Sequence, residues 1–238
     1  MKEQAQAQKQ YKDYFAAKTY TDEQIEALKN TTIVFLLRSQ DAPLKEDFEK
    51  VIKETWNFTP IVVDFYANRT AYQDGKHSFF SIESRNVRVQ NYSGAAQTTG
   101  CYDFPQIFLA LRSPIADKKG EKVLDETTVF YRTHLFPDKA TMDKVIEGRK
   151  VVQGLYGEGT KIRNWSPAMI KFYLIDAQMD LEAQKRSSTY ESKSNTASLK
   201  KLKRDILYVP DYVAERIDPL ARREVNNEPV EPLLKDYN

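Results

Sequence analysis

Three arginines associated with predicted strands are the residues of this sequence best suited to joint chemistry. Arg38-Ser39 and Arg112-Ser113 each follow a run of apolar residues, and Arg132 lies two positions before His134 in a third candidate strand. If the first two strands are parallel, both guanidinium groups emerge at the same edge of a sheet, and Arg132 could join them. Guanidinium groups bind carboxylate or phosphate through two hydrogen bonds, so the pattern predicts a small-anion site. The alternative interpretation is that each charge only leads a buried strand out into water.

Two aspartates form a second candidate constellation. Asp41 follows the first apolar strand and Asp64 lies within the second, so neighbouring strands could bring the two carboxylates together. Paired acids suit general acid–base chemistry or a divalent metal ion. The structural interpretation, which we favour, is that Asp41 caps the following helix and Asp64 ends its strand. We therefore expect no metal site and no cofactor.

Several catalytic signatures are absent from the sequence. His77 and His134 are the only histidines, Cys101 is the only cysteine, and the G-x-S-x-G pattern of a nucleophile elbow does not occur. Residues 154–161 (GLYGEGTK) resemble a phosphate-binding loop, but lysine follows threonine there where it should precede it. These absences favour a non-catalytic protein. The balance of 36 basic and 34 acidic residues gives a net charge of +2, which excludes a strongly basic nucleic-acid binder.

Residues 31–66 predict the elements that position these side chains. Residues 31–38 (TTIVFLLR) contain a continuous apolar run, which is typical of a strand buried on both faces. A helix over about residues 42–55 follows, with Pro43 in its first turn and Leu44 on its apolar stripe. Residues 59–66 (TPIVVDFY) predict a second apolar strand. Strand, helix and strand within this length indicate a βαβ unit with two parallel strands.

The rest of the sequence predicts further strands and then helices. Four segments have the composition of strands: residues 78–82, 87–89, 105–112 and 128–136. Asp138 caps a predicted helix that extends to about Tyr156, and Ser166-Pro167 begins a longer helix. This last helix is apolar on most sides, which predicts that it is deeply packed or lies in an interface. We predict an α/β fold: a three-layer sandwich on a mixed, partly parallel sheet, with residues 107–111 in a central strand and a helical C-terminal part.

Composition and patterning divide the chain into three parts. We predict an N-terminal arm over residues 1–19, one α/β domain over residues 20–182, and a polar linker with a C-terminal extension over residues 183–238. Thr21 and Gln24 form a capping box at the start of a short helix that leads into the first strand. No apolar run approaches the roughly 18–20 residues that cross a bilayer, so no transmembrane segment is predicted.

The N-terminal residues indicate export. Ala5 and Ala7 stand at the spacing that signal peptidase recognises, so residues 1–7 are either the end of a secretory signal or part of an ordinary polar arm. Together with the buried βαβ start and residues 207–213 (LYVPDYV), this end of the chain resembles uncharacterised exported proteins of Bacteroidota-type bacteria. The resemblance implies a location in the periplasm or cell envelope and carries no catalytic motif. The alternative location is the cytoplasm.

Two functions follow as expectations. The first is a non-catalytic cell-envelope protein that binds a protein partner, associates with itself or forms part of an assembly. It is favoured by the missing catalytic signatures and by charged terminal segments suited to docking. The second is an enzyme or binding protein for a small anionic ligand at the carboxyl edge of the sheet. The candidate ligand-binding residues are Arg38, Ser39, Asp41, Asp64, Arg112, Arg132 and His134.

Overall fold

The computed structural model describes residues 17–92, 98–113, 115–116, 122–123, 129–148 and 151–186. All of these residues belong to the first of two units of the chain, which are Met1–Glu191 and Ser192–Asn238. The predictions for residues 1–16, including the signal-peptide remnant, lie outside the described residues. So do the predictions for most of the polar linker and for the C-terminal extension.

A short strand and a capped helix open the described chain. Strand β1 is Lys18–Thr19 and helix α1 is Asp22–Lys29. The predicted capping box is confirmed, because Thr21 Oγ1 accepts from Gln24 N at 3.3 Å and Thr21 N donates to Gln24 Oε1 at 3.1 Å. β1 pairs antiparallel with β9 (Lys185–Arg186), so the first described strand is held against the last.

The predicted βαβ unit is confirmed. Strands β2 (Thr32–Leu37) and β3 (Ile61–Phe65) pair in parallel, with helix α2 (Lys45–Thr55) between them in the sequence. From Ile33 to Leu37 every residue of β2 is at most 2% exposed. This burial on both faces is what the uninterrupted apolar run predicts for an internal strand.

The connection between β2 and α2 differs from the prediction. Ser39–Leu44 forms a 3₁₀ helix, and the α-helix begins only after it. Asp41 is the reason, because its carboxylate accepts from Arg38 N at 3.0 Å and so closes a tight turn instead of capping α2. Leu44 is 49% exposed, so its predicted place on the buried stripe of the helix is wrong, whereas Phe48 is buried there.

The main sheet is mixed and partly parallel, as predicted. Five further strands follow: β4 (His77–Tyr92), β5 (Thr98–Arg112), β6 (Ile115–Ala116), β7 (Lys122–Val123) and β8 (Val129–Leu135). The strand order is β3-β2-β4-β5-β8, with β2 parallel to both neighbours and the remaining pairs antiparallel. The predicted central position of residues 107–111 is wrong: they lie in β5, next to the edge. The centre is β4, a single long strand where the sequence predicted two short ones.

Three helices complete the described chain: α3 (Lys139–Glu147), α4 (Val151–Tyr156) and α5 (Pro167–Glu182). Asp138 caps α3 as predicted, and Ser166 caps α5. The single helix predicted from Asp138 to about Tyr156 is divided into α3 and α4. A Cβ atom on Gly154 would lie only 2.7 Å from Val145 Cγ1, so the glycine lets α4 pack closely against α3.

Helices α2 and α5 cover one face of the sheet. Residues opposite each other in neighbouring strands share a face, and the first face carries Phe35, Phe80, Leu111 and Tyr131. The Trp56 ring at the end of α2 lies 5.3 Å from the Phe80 ring, and Tyr131 Oη donates to Asp176 of α5 at 3.1 Å. The Trp165 ring fills the space between Phe35 and α2.

The second face of the sheet meets a different set of elements. By the same register this face carries Val34, Leu36, Phe79, Ser81, Ala110 and Arg132. Tyr66–Tyr72, which follows β3, forms a second 3₁₀ helix. This helix and α4 line a cleft together with Leu36 and Phe79 of the sheet. The sheet therefore lies between helical elements on both sides, and the predicted α/β fold is confirmed.

Candidate functional site

Arg38 and Arg112 do not emerge at the same edge of the sheet. β5 runs antiparallel to β4, whereas β4 runs parallel to β2. Arg38 follows the carboxyl end of β2, while Arg112 at the carboxyl end of β5 lies opposite Phe79 near the start of β4. The prediction that parallel strands bring these two arginines together is therefore wrong. The repeated apolar run ending in Arg-Ser marks a strand end, but it does not encode strand direction.

Arg38 and Asp41 form a buried ion pair. Arg38 Nε and Nη2 donate to the two carboxylate oxygens of Asp41 at 3.0 and 2.6 Å, and the two side chains are 7% and 5% exposed. Arg38 Nη1 donates to the carbonyl of Thr160 at 3.3 Å, and Trp165 Nε1 donates to Asp41 Oδ2 at 3.0 Å. These contacts commit both charges to the structure. They assign Arg38 and Asp41 a structural role in place of ligand binding.

The loop of residues 157–165 is fastened over the end of β2 by two amide side chains. Gln40 Oε1 accepts from Thr160 N at 3.1 Å, and Gln40 Nε2 donates to the Thr160 carbonyl. Asn164 Oδ1 accepts from Phe136 N at 2.7 Å, and its Nδ2 donates to the His134 carbonyl at 2.8 Å. The loop is therefore joined to the first 3₁₀ helix on one side and to the end of β8 on the other.

Asp64 is engaged by its own strand end and does not pair with Asp41. Its carboxylate accepts from Phe65 N at 2.7 Å, from Asn68 Nδ2 at 2.8 Å and from Tyr72 Oη at 2.7 Å. Burial acts to raise the pKa of Asp64, but these hydrogen bonds outweigh it and lower the pKa. The carboxylate thus closes the turn into the second 3₁₀ helix. In the described part of the chain no cluster of His, Cys, Asp and Glu has the arrangement of a metal site.

Arg132 and His134 lie together on β8, away from the other candidates. The Arg132 guanidinium is over the Phe108 ring at 5.4 Å, and the His134 ring centroid is 4.6 Å from the same ring. Arg132 is 6% exposed. Ser39, the last candidate, is exposed at the start of the first 3₁₀ helix. None of these three residues lines the cleft described below.

His134 should make the stability of the fold pH-dependent. Burial, and secondarily the positive charge of Arg132, lowers the pKa of His134 below its ordinary value of 6.5. The unfolded chain then binds a proton more tightly than the folded one, so stability is retained above pH 6.5 and falls as the pH drops below it. We expect His134→Gln to show a smaller loss of urea midpoint between neutral and mildly acidic pH than the wild type. His77→Gln removes the other imidazole and is the control; an unchanged pH dependence in His134→Gln would contradict the assignment.

A cleft of about 340 Å³ lies over the second face of the sheet, between β4, the second 3₁₀ helix and α4. The connection after β2 leads to α2 on the first face, whereas the connection after β3 forms the second 3₁₀ helix on the second face. The cleft is therefore bordered by the connection that follows the carboxyl end of β3, a position from which open α/β sheets often bind ligands. The lining residues are Leu36, Tyr66, Arg69, Gln73, Phe79, Ser81, Ile82, Glu83, Ser84, Arg112 and Val152.

Aromatic stacking holds Arg69 at the wall of this cleft. The Arg69 guanidinium lies over the Tyr66 ring at 4.1 Å, and the Tyr66 ring stacks on the Tyr156 ring at 3.8 Å. Tyr156 is buried and its hydroxyl accepts from Ile82 N at 2.6 Å, so the stack rests on β4. Burial raises the pKa of Tyr156 well above that of an ordinary phenol, which keeps the ring neutral.

Arg69 differs from Arg112, the other arginine of the cleft, because no carboxylate of the described residues neutralises its charge. Among the described residues its guanidinium contacts the Tyr66 ring and forms no ion pair or hydrogen bond with a carboxylate. Arg112, by contrast, donates from Nε and Nη2 to the carboxylate of Glu83, the latter at 2.7 Å. The described part of the lining therefore contains two guanidinium groups and one carboxylate, an excess positive charge beside Arg69.

Of these cleft residues, only Arg112 was predicted from the sequence. Arg69 lies in residues 67–70 (ANRT), which have no apolar period and match no binding motif. The one signal available was its position five residues beyond Asp64, directly after the carboxyl end of a predicted parallel strand. That rule identifies the loop but does not say which of its polar residues faces the crevice.

Comparisons with protein-family models, with curated proteins and with solved structures gave no match. No helix in the described ranges has the length and apolar character needed to span a bilayer. The interpretation of the cleft therefore depends on its own geometry and charge.

Proposed function

We propose that this protein binds a small anionic ligand, a carboxylate or a phosphate compound, in the cleft between β4, the second 3₁₀ helix and α4. The observation that carries the proposal is the Arg69 guanidinium, which is stacked on Tyr66 beside the cleft and is paired with no acid among the described residues. A guanidinium held in one orientation loses little freedom when it binds an anion. The contact with the Tyr66 ring uses the face of the guanidinium, so its N–H groups keep their capacity to bind an anion.

The remaining walls define the rest of the ligand. Ser81, Ser84 and Gln73 offer hydroxyl and amide groups, while Leu36 and Val152 are apolar. A volume of this order lies at the lower end of the roughly 300–1,000 Å³ of ligand sites. The preferred ligand would therefore combine one anionic group with a small, partly apolar body. The lining residues that the structure describes include no nucleophile paired with a base, which favours binding over catalysis.

A binding screen with matched variants tests this proposal. Thermal-shift and calorimetric measurements with phosphates and small carboxylates should show stabilisation of the wild type that is lost in Arg69→Ala. Loss of a charge-assisted hydrogen bond is worth about 1.5–3 kcal/mol, so affinity should fall roughly ten- to hundred-fold. Glu83→Gln removes the acid that neutralises Arg112, so it should bind the same anion more tightly than the wild type.

A charge change outside the cleft is the control for Arg69→Ala. Lys171→Ala removes one positive charge from an exposed helical position outside the cleft and should leave anion affinity unchanged. Equal weakening by Lys171→Ala and Arg69→Ala would show that only net charge matters, and the proposal would fail. It would also fail if every carboxylate and phosphate in the screen left the melting temperature of the wild type unchanged.

A second candidate function is a non-catalytic cell-envelope protein that binds a partner or forms part of an assembly. One observation favours it: helix α5 exposes large apolar side chains, with Phe172 66% and Met179 63% exposed. Export itself remains a prediction of the sequence, since residues 1–7 lie outside the described residues. Sequencing the DNA upstream of Met1 tests it, because export requires a basic start and an apolar run there.

A further inference from the structure

Helix α5 has two apolar sides. Its inner side packs against the sheet and α2 and buries Ile170, Tyr173, Leu174, Ala177 and Leu181. Its outer side carries Phe172, Ile175 and Met179, which are 66%, 40% and 63% exposed. These three residues, which we call the outer stripe, are spaced by three and four positions and so form one continuous line along the helix. The same 3–4 spacing occurs where one helix packs along another.

The charges beside the outer stripe are arranged against the helix dipole. The first turn of α5 has no acidic residue and its last turn has no basic one. Instead, Lys171 is the only basic residue of the helix and lies in its N-terminal half, whereas Asp176, Asp180 and Glu182 lie in its C-terminal half. Asp176 accepts from Tyr131 Oη and so is engaged on the side of the sheet. Helix dipoles favour the opposite arrangement, with acids at the N-terminus and bases at the C-terminus. Lys171 and Glu182 are about three turns apart, so both flank the outer stripe on the same side.

A second copy of α5 in antiparallel orientation satisfies both features. It covers the outer stripe with an identical stripe, and it brings Lys171 of each copy towards Glu182 of the other. The two helix dipoles are then also antiparallel. Glu182, at the unfavourable C-terminal end of its own helix, therefore lies beside the N-terminal half of the other helix, where a negative charge is favoured. In a parallel arrangement Lys171 of one copy would lie about 16 Å along the seam from Glu182 of the other, too far for the two charges to meet. A two-fold axis of this kind is the commonest symmetry of homo-oligomers.

We propose that two copies of this chain associate through the outer stripe of α5 as an antiparallel, two-fold dimer. The axis passes close to Ile175, in the middle of the stripe. A helix of this length offers a seam of about 24 Å at 1.5 Å per residue. A single pair of helices of this length buries less surface than most obligate interfaces do. The dimer should therefore be concentration-dependent, with a dissociation constant in the micromolar range.

Cysteine cross-linking tests the orientation of the two helices. A residue near the two-fold axis lies close to its own copy, so Ile175→Cys should form a disulfide-linked dimer under mild oxidation. Ala168→Cys is the matched control, because it lies on the same side of α5 but about 20 Å from its copy in the antiparallel arrangement. A disulfide requires Cα atoms within about 7 Å, so Ala168→Cys should not cross-link. Both variants retain Cys101, which makes their backgrounds identical.

Sedimentation measures association without any cysteine. The wild type should convert from monomer to dimer with rising concentration, and Phe172→Glu should raise the dissociation constant at least about tenfold, equivalent to 1.4 kcal/mol. Lys171→Glu should weaken the dimer, and Lys171→Glu with Glu182→Lys should restore it. A wild type that stays monomeric overturns the proposal and leaves the stripe to a different partner. Equal cross-linking of Ala168→Cys and Ile175→Cys, or no effect of Phe172→Glu, also overturns it.

Discussion

Replacing Asp41 with leucine is expected to destabilise the fold by about 3–5 kcal/mol, the usual cost of leaving a buried charge unpaired. The variant removes the two carboxylate oxygens that accept from Arg38 Nε and Nη2, and the Arg38 side chain is only 7% exposed. It also leaves Trp165 Nε1 without its acceptor at 3.0 Å. Urea unfolding monitored by tryptophan fluorescence measures the loss.

A double-mutant cycle separates the ion pair from the other contacts of Asp41. Replacing Arg38 by methionine in the Asp41→Leu background removes the unpaired charge and keeps much of the side-chain volume. The double variant should therefore be more stable than Asp41→Leu alone, although the Thr160 carbonyl then loses one of its two donors and keeps Gln40 Nε2. Arg38→Met alone completes the cycle. If the losses in free energy of unfolding of Arg38→Met and Asp41→Leu simply add in the double variant, the two side chains are not coupled and the structural role given to Arg38 is wrong.

Replacing Asn164 with alanine should cost about 2–6 kcal/mol, because two part-buried backbone groups lose their partners at about 1–3 kcal/mol each. Asn164 is 1% exposed and bonds both the Phe136 N–H and the His134 carbonyl. Its Nδ2 also lies 2.7 Å from the Tyr173 hydroxyl, so the loop loses one of its two bonds to Tyr173 of α5, while Tyr173 Oη still donates to the carbonyl of residue 164 at 3.2 Å.

Asn68→Ala is the matched control for Asn164→Ala. Asn68 makes one exposed side-chain hydrogen bond, to Asp64 at 2.8 Å, so its replacement should cost less than about 1 kcal/mol. Equilibrium unfolding of both variants gives the comparison. Similar losses in the two variants would mean that Asn164 does not fasten the 157–165 loop.

The elements that could be predicted from the sequence are those specified by nearby residues. The capping box of Thr21 and Gln24 and the apolar run of β2 are local signals, and both describe the structure correctly. The start of α2 could not be predicted, because the Asp41 carboxylate could either cap the helix or pair with Arg38. It resembles a helix cap in sequence, but the adjacent Arg38 recruits its carboxylate in the folded chain.

The candidate site depends on contacts that are distant in sequence. Arg38 meets Thr160 across 122 positions and Asp41 meets Trp165 across 124, so no local pattern shows that this ion pair is enclosed. The direction of β5 is also set by its pairing with β4, not by its own composition. Arg69 becomes a candidate only when the second 3₁₀ helix is placed over the second face of the sheet.

The proposal that Arg69 binds an anion in the cleft is tested most directly by mapping the bound ion. We would titrate ¹⁵N-labelled protein with inorganic phosphate and with a small dicarboxylate, and follow backbone and arginine side-chain signals. Saturable shifts should appear at Arg69 and at Gln73, Ser81 and Ser84, which line the same cleft. They should disappear in Arg69→Ala, whose remaining spectrum should match that of the folded wild type. Shifts confined to surfaces away from these residues, or unchanged in Arg69→Ala, would contradict the proposal.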